Sequence, residues 1–282
     1  MATIPFWKLE AIGNDFPLFH AEDVANLDLS ELAKHASDRK FGIGGDGILV
    51  LGKSDKPDEV ILRMFNPDGT EDFCGNGLRV AAWHAHEQGW VGNKFTIVHR
   101  SHPVPSEIDA DGKVRNTIGV ADYTPDNVPV TVDGELFDTE LGVFGGHALY
   151  GSALTTGSTH TIVPVAKLPS DAEIEKLGPE MEYAPIFPER TSVIFVREKE
   201  PFELEIRIWE RGVGETLGCG TGSSAAAADY VRRNARHLGA GPYKVTVHNP
   251  GGQIVISMDA WNTPITIEGT AEETYSGSIS TR

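Results

Sequence analysis

The sequence predicts an α/β (α+β) protein built as two similarly constructed lobes, and three observations carry that prediction. Strand-like stretches, β-branched or alternating and bounded by Gly, Pro, Asn and Asp, dominate the 282 residues. The only two cysteines, Cys74 and Cys219, lie 145 positions apart, and each opens a Cys-Gly-polar-Gly run followed by a helix-like segment. Between them, residues 100 to 135 are rich in Pro, Asp and Gly, which suits a crossing between domains near residue 120. This is a two-copy pattern, and it divides the chain into lobes 1–119 with Cys74 and 120–266 with Cys219.

Along the chain, "LSELAKHASDR" (29 to 39) has apolar residues at helical spacing behind an Asp28 or Ser30 cap. The run "GIGGDG" (42 to 47) is out of register with the dinucleotide fingerprint and precedes no βαβ unit, so it reads as a tight turn lining the cleft. Its last glycine, Gly47, is a candidate substrate contact. "EVILRMF" (59 to 65) is a strand, and "LRVAAWHAHEQGW" behind Cys74 is a helix expected to carry His84 and His86 on its surface. "KFTIVH" (94 to 99) follows as a strand, and "AEIEKLGPEM" (172 to 181) reads as a short helix ended by Gly178 and Pro179. "TSVIFVR" (191 to 197) and "FELEIRIWE" (202 to 210) are strands. "SSAAAADYVRRNARHLG" behind Cys219 is a helix whose small-residue face predicts close packing, and strands "YKVTVHN" (243 to 249) and "GQIVISM" (252 to 258) complete the second lobe.

Hydrophobic residues make up 40% of the chain and charged residues 23%, ordinary values for a soluble protein with a sizeable core. A net charge of −17 without clustered Lys and Arg speaks against a nucleic-acid or anionic-membrane partner. No apolar run is long enough to span a membrane, and "MATIPFWKLEAIGNDF" lacks the features of a signal peptide. The expected location is the cytoplasm, where thiols stay reduced.

A cysteine at a helix N-terminus meets unpaired backbone N–H groups and the positive end of the helix dipole, which favour its thiolate. The same amides, left uncovered by glycine, can cradle a carboxylate. Two such lobes facing each other would hold a carboxylate where two helix ends meet, with a thiol on either side of the adjacent carbon. One thiolate could then remove a proton from one face while the opposing thiol delivers one to the other, inverting a stereocentre with no cofactor. The helix ends would stabilise charge developing on the carboxylate. Other chemistries fit less well. A zinc site lacks ligands, since neither cysteine has a CxxC partner. A cysteine hydrolase has no use for a second matching cysteine. A structural disulfide does not suit the cytoplasm.

The motifs "GNDF" (13 to 16), "GIGGDG", "NPDG" (66 to 69), "CGNG" (74 to 77), "FPER" (187 to 190), "ERGVGET" (210 to 216), "CGTG" (219 to 222) and "PGG" (250 to 252) make the chain resemble the diaminopimelate epimerases. These are cofactor-independent enzymes that interconvert LL- and meso-diaminopimelate. The resemblance implies two pseudosymmetric lobes, each a rolled, mostly antiparallel sheet around a central helix, with the last strand (267–282) returning to the first lobe. It implies Cys74 and Cys219 as the acid-base pair. Gly75 and Asn76, with Gly220 and Thr221, would hold the reacting carboxylate, and Asn14 would lie near the reacting amino group. Asn66 and Arg211 would bind the distal amino-acid group; Glu210 would face its ammonium and tune the nearby thiol, and His160 would tune the other. Tyr275 is implied as a contact of a homodimer.

The chain departs from the family pattern at one subsite. A family "GNPH" stretch reads "GSTH" here, placing Ser158 where an asparagine contacts the distal carboxylate, and a second such asparagine is replaced by Ser192. Serine still donates a hydrogen bond but is shorter by a carboxamide. Three readings follow: a diaminopimelate epimerase, a cofactor-independent racemase of a different amino acid, and a non-catalytic amino-acid-binding protein. Only the last has no use for the thiols.

Overall fold

The computed structural model describes residues 3 to 280. In chain order the elements are β1 (Thr3–Ala11), β2 (Asn14–His20), α1 (Leu29–Ala36), β3 (Ile48–Lys53), β4 (Glu59–Phe65), β5 (Glu71–Asp72), α2 (Gly75–Glu87), β6 (Lys94–His99), β7 (His102–Ile108) and β8 (Val114–Ile118). There follow β9 (Thr139–Phe144), β10 (His147–Thr155), β11 (Thr159–Pro164), α3 (Asp171–Glu182), β12 (Ser192–Glu200), β13 (Glu203–Glu210), β14 (Gly214–Thr216), α4 (Gly220–Asn234), β15 (Tyr243–Asn249), β16 (Gly252–Met258), β17 (Ile265–Gly269) and β18 (Glu272–Ser280). Contacts divide the chain into unit 1, Met1–Thr117 with Glu268–Arg282, and unit 2, Ile118–Ile267.

The units repeat one topology. In unit 1, β1 and β2 form an antiparallel hairpin, α1 leads to β3 parallel to β2, and β4 returns antiparallel with the short β5 beside it. Then α2 crosses over to β6, which lies parallel to β4, and β7 pairs antiparallel with β6. Unit 2 runs through the same steps: hairpin β10–β11, α3, β12 parallel to β11, antiparallel β13 with β14, α4, β15 parallel to β13, and β16. A parallel neighbour requires a crossover, and in each unit the second crossover is the helix opened by a cysteine. The chain's last strand, β18, pairs antiparallel with β1, from Thr3 opposite Ser280 to Glu10 opposite Glu272.

Side-chain alternation along one strand of each unit explains the layering. In β3, Ile48 and Val50 join Phe19, Phe65, Leu32 and Ala33 in the cluster that seats α1. Leu49, between them, faces α2, since a Cβ on Gly77 would lie 3.0 Å from its Cδ2. In β12, Val193 and Phe195 pack with Ile174 and Met181 of α3. Ile194 faces α4, with its Cδ1 2.8 Å from where a Gly222 Cβ would be. Glycine in the first turn thus lets each cysteine-capped helix sit directly on its sheet. Both helices are enclosed: α2 contacts β1, β2, β3, β4 and β7, and α4 contacts β10 to β13, β15 and β16.

Three sequence expectations need correction. The helix at 29 to 39 ends at Ala36, because the Ala36 and Ser37 carbonyls accept from the amides of Ile43, Gly44 and Gly45. Its N-cap is Asp28, whose carboxylate accepts from Ser30 and Glu31 N–H.

Gly178 and Pro179 do not end α3, which continues to Glu182. A proline inside a helix costs about 3 kcal/mol, and tertiary contacts of the last turn offset it. Gly178 lies against the Trp209 ring, Met181 is buried, and the buried Glu182 carboxylate accepts from Trp209 Nε1 at 2.8 Å and Gly212 N at 2.9 Å. Finally, His84 is not on a helix surface, being 0% exposed. It packs against Trp7 and Trp90 and lies 2.9 Å, Nε2 to Nε2, from His20.

Candidate active site

Each unit holds a cysteine built into the same local geometry. Cys74 is the N-cap of α2 with φ −135° and ψ 117°, and Cys219 is the N-cap of α4 with φ −134° and ψ 118°. Extended backbone at the N-cap turns the thiol back over the first turn, where the sulfur accepts from the third helical amide. Gly77 N–H reaches Cys74 Sγ at 3.4 Å and Gly222 N–H reaches Cys219 Sγ at 3.3 Å. The sulfur thus occupies the place usually held by a capping Ser or Asp oxygen. First-turn amides at Gly75 and Asn76, and at Gly220 and Thr221, have no carbonyl partner within their helices, which is what makes a helix start a carboxylate cradle.

In unit 1, the structure brings Asn14, Cys74 and Asn76 together. The Asn14 Oδ1 accepts from Cys74 Sγ at 3.8 Å and from Asn76 Nδ2 at 3.2 Å, while the buried Arg79 donates to Asn76 Oδ1 at 2.6 Å. Asn14 follows a tight turn in which Ile12 and Gly13 take φ of 49° and 80°. Its Nδ2 donates to Asp46 Oδ2 at 2.5 Å. Asp46 also pairs with Arg39, which pairs with Asp15. Burial raises the Asp15 carboxyl, but hydrogen bonds from Arg39 and Lys8 outweigh it and hold Asp15 below its ordinary range. Burial holds the Lys8 ammonium below its ordinary value. Sequence reasoning missed Asp46, although it sits inside the "GIGGDG" run. Gly47 takes φ +146°, and a Cβ there would lie 2.4 Å from the Phe65 carbonyl, so a side chain has no room where β3 begins beside β4. Asn66 lies in the turn after β4 and donates to Thr70 Oγ1 at 3.0 Å.

In unit 2, Thr221 Oγ1 lies 3.3 Å from Cys219 Sγ and 3.4 Å from Ser158 Oγ, which lies 3.0 Å from His160 Nε2. His160 faces Ser192 across the parallel β11–β12 pair, and Ser192 Oγ accepts from Arg211 N–H at 3.1 Å. The Arg211 guanidinium donates to the Glu189 carbonyl at 3.2 Å, and Glu210 accepts from Thr216 Oγ1 at 2.5 Å. Burial, with Arg211 nearby, drives His160 down to about 3, so the imidazole is neutral at physiological pH. Two residues missed by sequence reasoning hold the frame. Asn249, just before "PGG", accepts from Cys219 N–H at 3.4 Å and Ser223 Oγ at 3.1 Å. Glu182 secures the turn behind Arg211 through Gly212 N–H. Tyr275 lies on β18, 48% exposed, its hydroxyl donating to the Ile43 carbonyl at 3.4 Å.

The sequence profile of the family described as Diaminopimelate epimerase matches residues 6–124 and 152–273. A protein of Methanothrix thermoacetophila named Diaminopimelate epimerase is 37% identical over 92% of this chain and 90% of its own length. A protein of the same name from Heliobacterium modesticaldum is 35% identical, covering 97% of this chain and 99% of its own. Among solved structures, a phenazine biosynthesis protein of the PhzF family from Bacillus anthracis covers all of this chain and of its own, with a TM-score of 0.72 at 18% identity. A hydroxyproline epimerase from Agrobacterium vitis has a TM-score of 0.69 at 12% identity, covering 98% of this chain and 92% of its own. These structural likenesses extend to the fold.

Proposed function

The chain belongs to the diaminopimelate epimerase family and is an isomerase, and from that premise we propose that it inverts the α-carbon of LL-diaminopimelate to give the meso form, with Cys74 and Cys219 as the two acid-base groups. The observation that carries the reading is the pair of cysteines capping equivalent helices with matching backbone angles and matching amide-to-sulfur bonds. Two identical caps suit a reaction in which deprotonation from one face is followed by protonation from the other. One sulfur, as thiolate, takes the α-proton; the other, as thiol, supplies its replacement, and the two exchange protonation states at each turnover. The helix starts stabilise the negative charge that spreads onto the α-carboxylate as the carbon–hydrogen bond breaks. No cofactor enters this scheme.

Asn14, held to Cys74 and Asp46, is assigned to the substrate's reacting amino group, and Asn66, Glu210 and Arg211 to its distal end. One specific observation supports a second substrate reading. Ser158 and Ser192 stand in place of family asparagines, and both hydroxyls are engaged within the protein, with His160 and Thr221 and with Arg211 N–H respectively. A distal carboxylate would meet fewer direct donors, each charged hydrogen bond being worth about 1.5–3 kcal/mol. A racemase of a different amino acid is the reading that follows if diaminopimelate fails.

Proton NMR in deuterium oxide tests both. Loss of the α-proton signal from LL-diaminopimelate alone, among lysine, glutamate, histidine and arginine, supports the first reading; loss confined to another amino acid replaces it with the second. Silence across the panel overturns the first reading and leaves either a racemase of an amino acid outside the panel or a binding protein. A homodimer is proposed on the exposed Tyr275, which borders a hollow of about 450 Å³ lined by Lys8, Glu10, Asp15 and Arg39. Light scattering of wild type beside Tyr275→Ala reads it directly. Residence in the cytoplasm is proposed because both thiols must stay reduced for this chemistry.

A further inference from the structure

Two asparagine carboxamides in unit 1 stand in series between a group that only donates hydrogen bonds and a group that only accepts them. Arg79 Nη2 meets Asn76 Oδ1 at 2.6 Å, Asn76 Nδ2 meets Asn14 Oδ1 at 3.2 Å, and Asn14 Nδ2 donates to Asp46 Oδ2. A carboxamide has an oxygen that accepts and a nitrogen that donates, and half a turn exchanges the two with little change of shape. Alone, each asparagine could face either way. The ends of the series remove that choice. A guanidinium carries donors only, so Asn76 turns its oxygen toward Arg79 and its nitrogen toward Asn14. The Asp46 carboxylate takes donors on both oxygens, from Arg39 on Oδ1 at 2.7 Å and from Asp15 N–H on Oδ2 at 3.2 Å, so Asn14 turns its nitrogen toward Asp46. Both requirements agree, and they leave the Asn14 oxygen facing Asn76 and Cys74 Sγ.

The internal repeat shows that the cap itself does not ask for this. Counted from the capping cysteine, Asn76 and Arg79 of α2 correspond to Thr221 and Ser224 of α4. Ser224 returns its hydroxyl to the Gly220 carbonyl of its own helix at 2.9 Å, and α4 keeps the cap angles and amide-to-sulfur bond of α2. A cysteine cap thus forms without a guanidinium in the following turn. Arg79 is 0% exposed, and a buried cation is costly unless its hydrogen bonds offset the lost hydration. What α2 has and α4 lacks is a carboxamide in the first turn, with a direction to be fixed.

We propose that Arg79 and Asp46 are positioning residues that together set the polarity of Asn76 and Asn14, so that a carbonyl oxygen, and not an NH2 group, meets the substrate's reacting nitrogen. The proposal rests on the reading in which Asn14 lies at that nitrogen. An α-ammonium has donors and no acceptor, so it bonds to the Asn14 oxygen and is repelled by a reversed carboxamide. The arrangement selects such a donor over a ligand that offers only an acceptor at the same carbon, such as a 2-oxo acid.

The polarity is read without substrate, by NMR on wild-type protein labelled with nitrogen-15, the two carboxamide signals being assigned by their loss in Asn14→Ser and Asn76→Ser. Asn14 Nδ2–H and Asp15 N–H donate to the same Asp46 oxygen, so a strong nuclear Overhauser cross-peak joins their protons. A cross-peak from the Asn14 carboxamide to the Cys74 β-protons in its place, or averaging between the two, overturns the proposal. Arg79→Met, which keeps length without donors, speeds exchange of the Asn76 carboxamide protons with water about tenfold, the effect of losing one charged hydrogen bond. Arg79→Lys, again a cation with donors only, restores the protection. Unchanged protection in folded Arg79→Met, or equal loss in both variants, overturns the role given to Arg79, and the wild-type cross-peak decides the polarity even where Arg79→Met does not fold. A wild type that shows the cross-peak but exchanges no amino-acid α-proton overturns the epimerase reading and leaves the fixed polarity standing.

Discussion

Cys74 and Cys219 share backbone angles, cap position and amide partner, yet their surroundings have opposite character. Cys74 is partly exposed and its partner, Asn14, is tied to a network of Asp46, Arg39, Asp15 and Lys8. Cys219 is 9% exposed, and the Thr221 hydroxyl beside it leads through the Ser158 hydroxyl to the neutral His160 ring. The repeat thus fixes where each sulfur sits, while the loops around it fix what each sulfur is bonded to. The surroundings of Cys74 in unit 1 are positioned by charge and those of Cys219 in unit 2 by neutral hydrogen bonds, and pairs of titratable groups in contrasting environments are how acid and base roles separate.

The sharpest test of that comparison removes each sulfur. Cys74→Ala and Cys219→Ala should each lower α-proton exchange on the substrate about a thousandfold, since proton transfer by a positioned group supplies that order of rate. A variant retaining wild-type exchange would break the equivalence of the two caps. Next in size, Asp46→Ala should lower exchange about a hundredfold without unfolding the protein, because it releases Asn14, and small misplacements cost about that much. Thermal unfolding beside the exchange assay separates this from lost stability.

The buried histidines extend the comparison to stability. Burial, with His20 adding to it, pushes His84 in unit 1 down to about 4 from an ordinary 6.5. Between those values the unfolded chain binds a proton that the folded chain refuses, so stability is full above pH 6.5 and falls as pH drops toward 4. The loss is about 3 kcal/mol. His160 in unit 2, at about 3, carries the same slope further into acid. Urea unfolding from pH 7 to 4 should show the fall, and His84→Gln should flatten it. The smallest effect is kinetic: iodoacetamide should modify Cys74 several-fold faster than Cys219, following their exposure, as peptide mapping would show. Equal rates would mean that the two sulfurs are equally accessible in solution.

The features legible in the sequence were those that use local signals. Gly-flanked cysteines ahead of helical segments marked both caps, and alternation marked β4, β6, β15 and β16 at their observed limits. What stayed hidden depends on distant partners. The polar, exposed β18 was expected only through the family resemblance, since it has no apolar alternation of its own; it is a strand because β1 supplies its hydrogen bonds. Pro179 is tolerated because Trp209, thirty positions on, receives the last turn of α3. His84 looked like a surface residue because a charge-bearing side chain on a helix usually is one, and only the enclosure of α2 by five strands makes it core. Asp46 and Glu182 resemble any surface acid until Asn14 and Gly212 are seen to donate to them.

The pairing of β18 with β1 has a consequence for biosynthesis. Chains leave the ribosome N-terminus first, and domains generally fold as their residues emerge. Unit 2 is contiguous and can close once residue 267 is free. Unit 1, though translated first, waits for its final strand, and until then the outer side of β1 is an open edge with unpaired backbone groups. The half of the enzyme that is born first is therefore finished last, and for most of translation its unpaired edge is where a chaperone, or another nascent chain, would attach.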